Sequence, residues 1–398
     1  VESKWTSRGR VEAALDHQEA DRVPTDLSIT LDAYIRLREW LGLPVDEEVQ
    51  ADRFFEVRPN LDVLEALSVD MTFIKLRSPR DWEAPPPLED GSVLDIWGVG
   101  RRLVELPTGS HLWEVTYSPW GHLSPTDIDL ATYPWPDPHA QGIVDGLEEE
   151  ARDLYENTDL ALMGRFGGPI LEIAAYLRGF EQWLLDLALY PDFARDVLEV
   201  IADIQIALDR RGIEAAGKYL SVFKVSGEDL GMQDRPLFSP RTWNEILYPV
   251  LERRWKAARE ALDHNGAAHV KIMLHSDGAI RPFIPDIIAA GVEVLDPVQG
   301  VCAGMELAGL KRDFGDRLAF HGSVDTQFTL PFGRPEDVQA AAVRSIETLG
   351  RGGGLILGSS HFIQSDVPPE NVVALFKTAQ QYGCYPLDKI YDGAKQKI

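Results

Sequence analysis

The 398-residue sequence predicts a (β/α)8 TIM barrel, and three observations carry that expectation. Eight short β-rich runs recur along the chain, a helix-patterned stretch follows most of them, and polar, titratable residues collect where the runs end. Strands alternating with helices call for a parallel sheet joined by right-handed crossovers. Eight such units close into a barrel whose active site lies at the carboxyl ends of the strands. An open doubly wound sheet is the alternative.

The runs occupy 22–29 (RVPTDLSI), 70–77, 159–166, 219–226, 268–275, 292–296, 317–322 and 354–358. Ser239-Pro240 opens a long helix, with Ser as N-cap and Pro in the first turn. Pro335 starts another helix that Gly350 stops, and Pro368-Pro369 introduces the last one. Ahead of the first run, 8–17 reads as a short helix across one end of the barrel. One connection is anomalous: 79–158 is far longer than an ordinary βα loop and rich in Trp and Pro, with Trp82, Trp97, Trp113, Trp120 and Trp135. Its middle alternates like hairpin strands. It is expected as an insertion within one domain spanning 1–398, serving either as packed structure or as a lid or substrate-facing wall.

Charge and composition narrow the function. With 39 Lys+Arg against 64 Asp+Glu the formal net charge is −25, which repels nucleic acid and anionic membrane surfaces. No apolar run approaches the ~20 residues that span a bilayer, and the polar N-terminus lacks the apolar core of a secretion signal. Two cysteines, Cys302 and Cys384, build no disulfide framework. A cytoplasmic location is the expectation. G-x-G-x-x-G, Walker and G-x-S-x-G patterns are absent, and neither cysteine neighbours a candidate base that would activate it.

The strand ends carry the candidate chemistry. They bring up Asp26; Lys75 and Arg77; Gly167-Gly168-Pro169 followed by Glu172 and Tyr176; Glu228 and Asp229; His275 and Asp277; Asp296 and Gln299; His321 and Asp325; and His361. The sharpest group is His275-x-Asp277, because residues two apart on an extended segment face the same side. A neutral imidazole nitrogen and a carboxylate oxygen are both zinc ligands, and His361 from the last strand offers a third. Three protein ligands with a fourth position open is the catalytic zinc pattern. The oxygen and nitrogen donors also suit Mg²⁺ or Mn²⁺. Taken alone, the pattern is weak: it more often marks a hydrogen-bonded structural histidine than a metal ligand, and less often a proton carrier. Glu228 is a candidate metal ligand or general base, or a hydrogen-bonded strand terminus. His321 either lines the mouth or belongs to the core wall.

Several segments resemble the uroporphyrinogen decarboxylase superfamily: RVEAALDHQEADRVPTD, GGPILEIAAYLRGFE, HSDGAIRPFIPDIIAAGVEVLDPVQ, LKRDFGDRLAFHGSVDTQ and SSHFIQSDVPPENV. The resemblance covers nearly the whole chain and implies the barrel, with a homodimer as the implied assembly. Two branches compete. True uroporphyrinogen decarboxylases, which bind a tetrapyrrole with eight carboxylates, carry an RQAGRY-type motif after the first strand and an aspartate after the second. Here those places read SITLDAYIRL and Arg77, although Tyr176 and His361 are positioned like the decarboxylase tyrosine and histidine. The cobalamin-dependent methyltransferase branch resembles this chain in a different way. Its zinc site is HxC on the fifth strand plus a later Cys; here His275, Asp277 and His361 occupy those places, so both sulfurs are replaced by oxygen and nitrogen donors.

The resemblance therefore implies an enzyme moving a methyl group between a small O- or N-methylated substrate and a corrinoid on a partner protein. His275, Asp277 and His361 would hold a divalent metal, zinc by preference. Glu228 would serve as ligand or proton relay, and Tyr176 and His321 would shape the pocket. The rivals are a uroporphyrinogen decarboxylase and a non-catalytic binding barrel.

Overall fold

A computed structural model describes residues 5–45, 56–106 and 111–387. Strands in chain order are β1 (Ile29–Thr30), β2 (Glu56–Val57), β3 (Met71–Lys75), β4 (Val93–Leu94), β5 (Gly100–Glu105), β6 (His111–Tyr117), β7 (Ala161–Arg165), β8 (Val222–Gly227), β9 (Lys271–His275), β10 (Val294–Asp296), β11 (Ala319–Val324) and β12 (Leu355–Ser359). Seven of them form one parallel sheet in the order β12-β11-β10-β9-β8-β7-β3. Extended residues 24–26 lie between its two edges. Asp26 N donates to Leu357 O at 3.0 Å, Leu357 N to Pro24 O at 2.8 Å, and Asp70 N to Thr25 O at 3.0 Å. The run expected as the first strand thus occupies its place in the barrel without forming a regular ladder there. Pro24 has no N–H to donate, which confines it to interrupted or edge pairing. The regular part of the run comes later, where β1 pairs antiparallel with β2.

Period-two alternation fills the barrel. Inward-facing Met71, Phe73, Ala161, Met163, Val222, Met273, Val294, Ala319 and Ile356 form one buried cluster with Val11 and Leu15 of the helix Ser7–Leu15. That helix is the expected cover across the amino end of the barrel. A larger core lies between the strands and the surrounding helices, including Pro191–Ala216, Pro335–Leu349 and Pro369–Tyr382. The helix expected from Ser239 onward begins with Ser239 Oγ accepting from Thr242 N. It then passes through a π turn, Trp243–Leu247, before Tyr248–His264. Pro249 cannot supply the N–H that a continuous helix needs there.

Between β3 and β7, strands β4, β5 and β6 form an antiparallel sheet. Beside it Trp97, Trp120, Tyr133 and Trp135 pack edge-on, with Trp120 and Tyr133 centroids 4.7 Å apart and Trp120 and Trp135 5.6 Å apart. Among the described residues, no helix is long and apolar enough to cross a membrane.

Candidate active site in the barrel mouth

One step further along each strand the inward positions turn charged. Lys75 follows Phe73, Arg165 follows Met163, Lys224 follows Val222, His275 follows Met273, Asp296 follows Val294, and His321 follows Ala319. A layer of charge therefore lies directly on the apolar filling. It is internally paired: Arg165 Nη1 meets Glu56 Oε1 at 2.6 Å and Lys75 Nζ meets Glu56 Oε2 at 3.5 Å. Lys224 Nζ and His275 Nδ1 both reach Asp296 Oδ2, at 2.6 and 2.8 Å. His321 bridges two carboxylates, with Nδ1 at 2.6 Å from Asp296 Oδ1 and Nε2 at 3.0 Å from Asp26 Oδ2.

Pairing decides the protonation states. Burial opposes charge on Asp296, but Lys224 and His321 outweigh it and hold the carboxyl well below its ordinary range. Burial likewise opposes a charged His321, yet the two flanking carboxylates push its pKa up to about 9. His275 is raised as well: burial and Lys224 work against its charge, and Asp296 prevails. The Asp296 contact to Nδ1 leaves His275 Nε2 as the outward-facing nitrogen, as in carboxylate–histidine pairs behind metal ligands.

Above this layer the three residues singled out in the sequence meet. His275, Asp277 and His361 each offer a ligand atom, and these atoms all lie within 4.8 Å of one another. The His275 and His361 ring centroids are 5.8 Å apart, and His361 Nε2 is 3.5 Å from Asp277 Oδ2. Asp277 Oδ1 is buried with no hydrogen-bond partner, and burial pushes the Asp277 carboxyl up. A divalent cation would satisfy that oxygen. Burial lowers the His361 pKa, which keeps its imidazole neutral and able to ligate. The donor set thus fits a divalent ion.

His275 and His361 border a cavity of about 830 Å³ whose lining includes Lys75, Arg165, Phe166, Glu172, Tyr176 and Lys224. Trp82, Trp97, His111 and Trp113 from the 79–158 segment line it too. Tyr176 lies beneath the guanidinium of Arg101 in β5, 4.6 Å from the ring centroid, so the added sheet packs directly on the mouth.

Two other candidates sit differently. His321 is buried in the charged layer beneath the cavity, locked between Asp26 and Asp296. Glu228 is fully buried, and its oxygens accept from Ile170 N and Leu171 N, both at 2.8 Å, which caps the helix Leu171–Arg178. Burial raises its pKa to about 7, although Arg254 and these N–H groups favour the anion. The adjacent Glu172 accepts from Asp229 N at 2.8 Å through Oε1. Burial, with Glu228 and Asp229 nearby, drives its pKa well up. Glu56, Arg165 and Lys224 have site roles that the strand-end search passed over. For Arg165 and Lys224 the signal was the alternation in ALMGR and VFK, where every second residue faces inward and the last is charged, whereas Glu56 lies outside these runs and carried no such signal.

A model of the uroporphyrinogen decarboxylase (URO-D) family matches residues 122–382. The chain is 26% identical over 255 residues to the uroporphyrinogen decarboxylase of Azoarcus sp. (strain BH72), covering 62% of this chain and 65% of that one. It is 26% identical over 201 residues to that of Coxiella burnetii (strain RSA 493 / Nine Mile phase I), covering 48% of each. The matched region thus spans about half to two thirds of these curated relatives. Among solved structures, a methyltransferase from Methanosarcina mazei superposes with a TM-score of 0.64 at 19% identity, covering 95% of this chain and 99% of that one, which shows a shared fold. With well over half of its length matching the family, from within the 79–158 segment to the last helix, the chain belongs to the uroporphyrinogen decarboxylase family.

Proposed function

We propose that this enzyme is a metal-dependent methyltransferase moving a methyl group between a small O- or N-methylated substrate and a corrinoid carried by a partner protein. The observation that carries the reading is the convergence of His275, Asp277 and His361, with Asp296 behind His275. Two imidazoles and a carboxylate with a further position open suit catalytic zinc. When bound, the ion supplies a Lewis acid for the methyl-bearing heteroatom. Asp296 holds the proton on His275 Nδ1 and so fixes the ring. The indoles of Trp97 and Trp113 and the ring of Phe166 seat the substrate body and exclude water. Glu172 stands in the cavity wall, where burial favours its neutral form. The fold-sharing protein from Methanosarcina mazei is itself described as a methyltransferase.

Decarboxylation of an octacarboxylate tetrapyrrole is less well supported. Lys75, Arg77, Arg165 and Lys224 line the cavity, and each already pairs with a carboxylate of the protein: Glu56, Glu150, Glu56 and Asp296. The test has two parts. Protein purified without added metal is expected to contain about one equivalent of divalent ion, lost in His275→Ala. It is also expected to methylate cob(I)alamin from a small methylated donor. A metal-free protein whose His275→Ala variant keeps full activity would overturn the proposal, as would turnover of uroporphyrinogen.

A further inference from the structure

The trio borders cavities of two kinds. The smaller, of about 310 Å³, is lined by Gln233, Gln299, Thr326 and Gln327 beside Asp277 and His361, and no Lys or Arg stands among its described lining residues. The larger, of about 830 Å³, combines rings with cations. Its rings are held in place by their own neighbours. Trp97 packs edge-on against Trp135 with centroids 6.3 Å apart, and Trp135 packs in turn on Trp120 and Tyr133. Phe166 lies 5.7 Å from Phe223, and Trp113 is set in β6 opposite Leu103 of β5. Rings fixed in advance offer contact area to a ligand at little further cost in side-chain freedom.

The charged layer beneath carries a surplus of positive charge. Among its described residues four cations, Lys75, Arg165, Lys224 and His321, meet three carboxylates, Asp26, Glu56 and Asp296. His275 is neutral when it ligates a metal. Arg165 Nη1 lies 2.6 Å from both oxygens of Glu56, whereas Lys75 Nζ stands 3.5 Å from Oε2. The Lys75 side chain is also the most open of the Lys and Arg side chains in the layer, 29% exposed against 13% for Arg165 and 12% for Lys224. The surplus is thus concentrated at Lys75. Other acids around the cavity are balanced elsewhere. Asp95 pairs with Arg101 at 3.0 Å, and Asp229 lies beside Asp277, where a divalent ion would offset both. Asp137 is exposed to solvent, which screens it.

We infer that the methyl donor is a ring-bearing methyl ether with a single carboxylate, its ring against Trp97 and Trp113, its carboxylate at Lys75 and its methyl group toward His275 and His361. The inference rests on the methyl-transfer reading and selects oxygen over nitrogen as the methyl-bearing atom. An ammonium group would stack well on the same indoles, but it would meet Lys75, Arg165 and Lys224 beneath them. A single ring also has the reach. Lys75 pairs with Arg165 and Arg165 with Lys224 in the sheet, and β8 pairs with β9, so three steps of about 4.8 Å, or ~14 Å in all, separate β3 from β9. Side chains from both ends shorten that gap, and a benzene ring with methoxy and carboxylate groups on opposite carbons spans the rest. One surplus positive charge matches one carboxylate and leaves an octacarboxylate unmatched.

The test is binding, read without turnover. Equilibrium dialysis of the metal-containing protein compares para-methoxybenzoate, its neutral amide para-methoxybenzamide, the para-methoxybenzyltrimethylammonium cation and the ring-free anion methoxyacetate. The benzoate is expected to bind at least tenfold more tightly than each of the others. Lys75→Met should abolish the preference for benzoate over amide, and Trp113→Ala should weaken both by a similar factor, with thermal unfolding as the control on folding. The comparison of probes on the unaltered protein needs no variant. Equal binding of benzoate and amide, tighter binding of the cation, or an unchanged preference in folded Lys75→Met would overturn the inference. So would absence of binding by the ring-bearing probes, or uroporphyrin binding more tightly than the benzoate. Metal analysis of the same samples keeps the two claims apart: missing metal defeats the methyl-transfer reading, whereas a lost preference in metal-loaded protein defeats this one.

Discussion

The most quantitative consequence of the site is a pH-dependent stability carried by His321. The imidazolium is held between Asp296 and Asp26 at 2.6 and 3.0 Å, with its side chain 6% exposed. Its pKa rises from an ordinary 6.5 to about 9. At 1.36 kcal/mol per tenfold change in proton affinity, that rise is worth roughly 3 kcal/mol. The same interaction lowers Asp26 and Asp296, so it is counted once. A group whose pKa is raised on folding stabilises fully below its unfolded value and loses that contribution as pH rises through the folded value. The His321 contribution is therefore complete below about pH 6.5 and gone above about pH 9. Urea unfolding of the unaltered protein and of His321→Gln, both in chelator, measures it. The gap between the two should shrink by roughly 3 kcal/mol from about pH 6 to about pH 9.5. A gap constant to within about 0.5 kcal/mol across that range would refute the reasoning.

Two further outcomes are expected. Asp296→Asn removes the carboxylate behind His275 Nδ1; divalent-metal affinity, measured by chelator competition, should fall about 10- to 100-fold, and an unchanged affinity would detach Asp296 from the trio. Asp209 pairs with Arg254 at 2.8 Å with side-chain exposures of 2% and 0%, and it also accepts from Gly167 N. Asp209→Asn should cost about 3 kcal/mol in urea unfolding, because the buried guanidinium loses its two-point partner and keeps only Glu228 Oε1 at 3.7 Å as counter-charge; a loss under about 1 kcal/mol would contradict that pairing.

How far the site could be read in advance depended on where each residue's partners lie. His275 and Asp277 are two apart on one strand, so their shared direction is a local property. His361 was assigned through its position at a strand end, a rule of barrels in general. Glu228 stands at a strand end too, yet its carboxylate turns to the backbone of Ile170 and Leu171, donors that only the packed neighbouring strand and helix bring close. His321 gave no local hint of its two carboxylates, since Asp26 and Asp296 lie 295 and 25 residues away.

Strand and helix order, the charged ends of the runs and the added Trp-rich segment followed from the sequence by itself, because periodicity, capping and turn chemistry act over a few residues. The Pro24 interruption was also present there as a missing donor. Tertiary structure alone decided that inward alternation would stack Lys75, Arg165, Lys224, His275, Asp296 and His321 into one layer paired with Glu56 and Asp26, and that the trio above it would open on two unlike cavities. The physical reason is range. Backbone preferences are set by neighbours in the chain, whereas desolvation and Coulomb pairing depend on which charges closure of the barrel places a few ångströms apart.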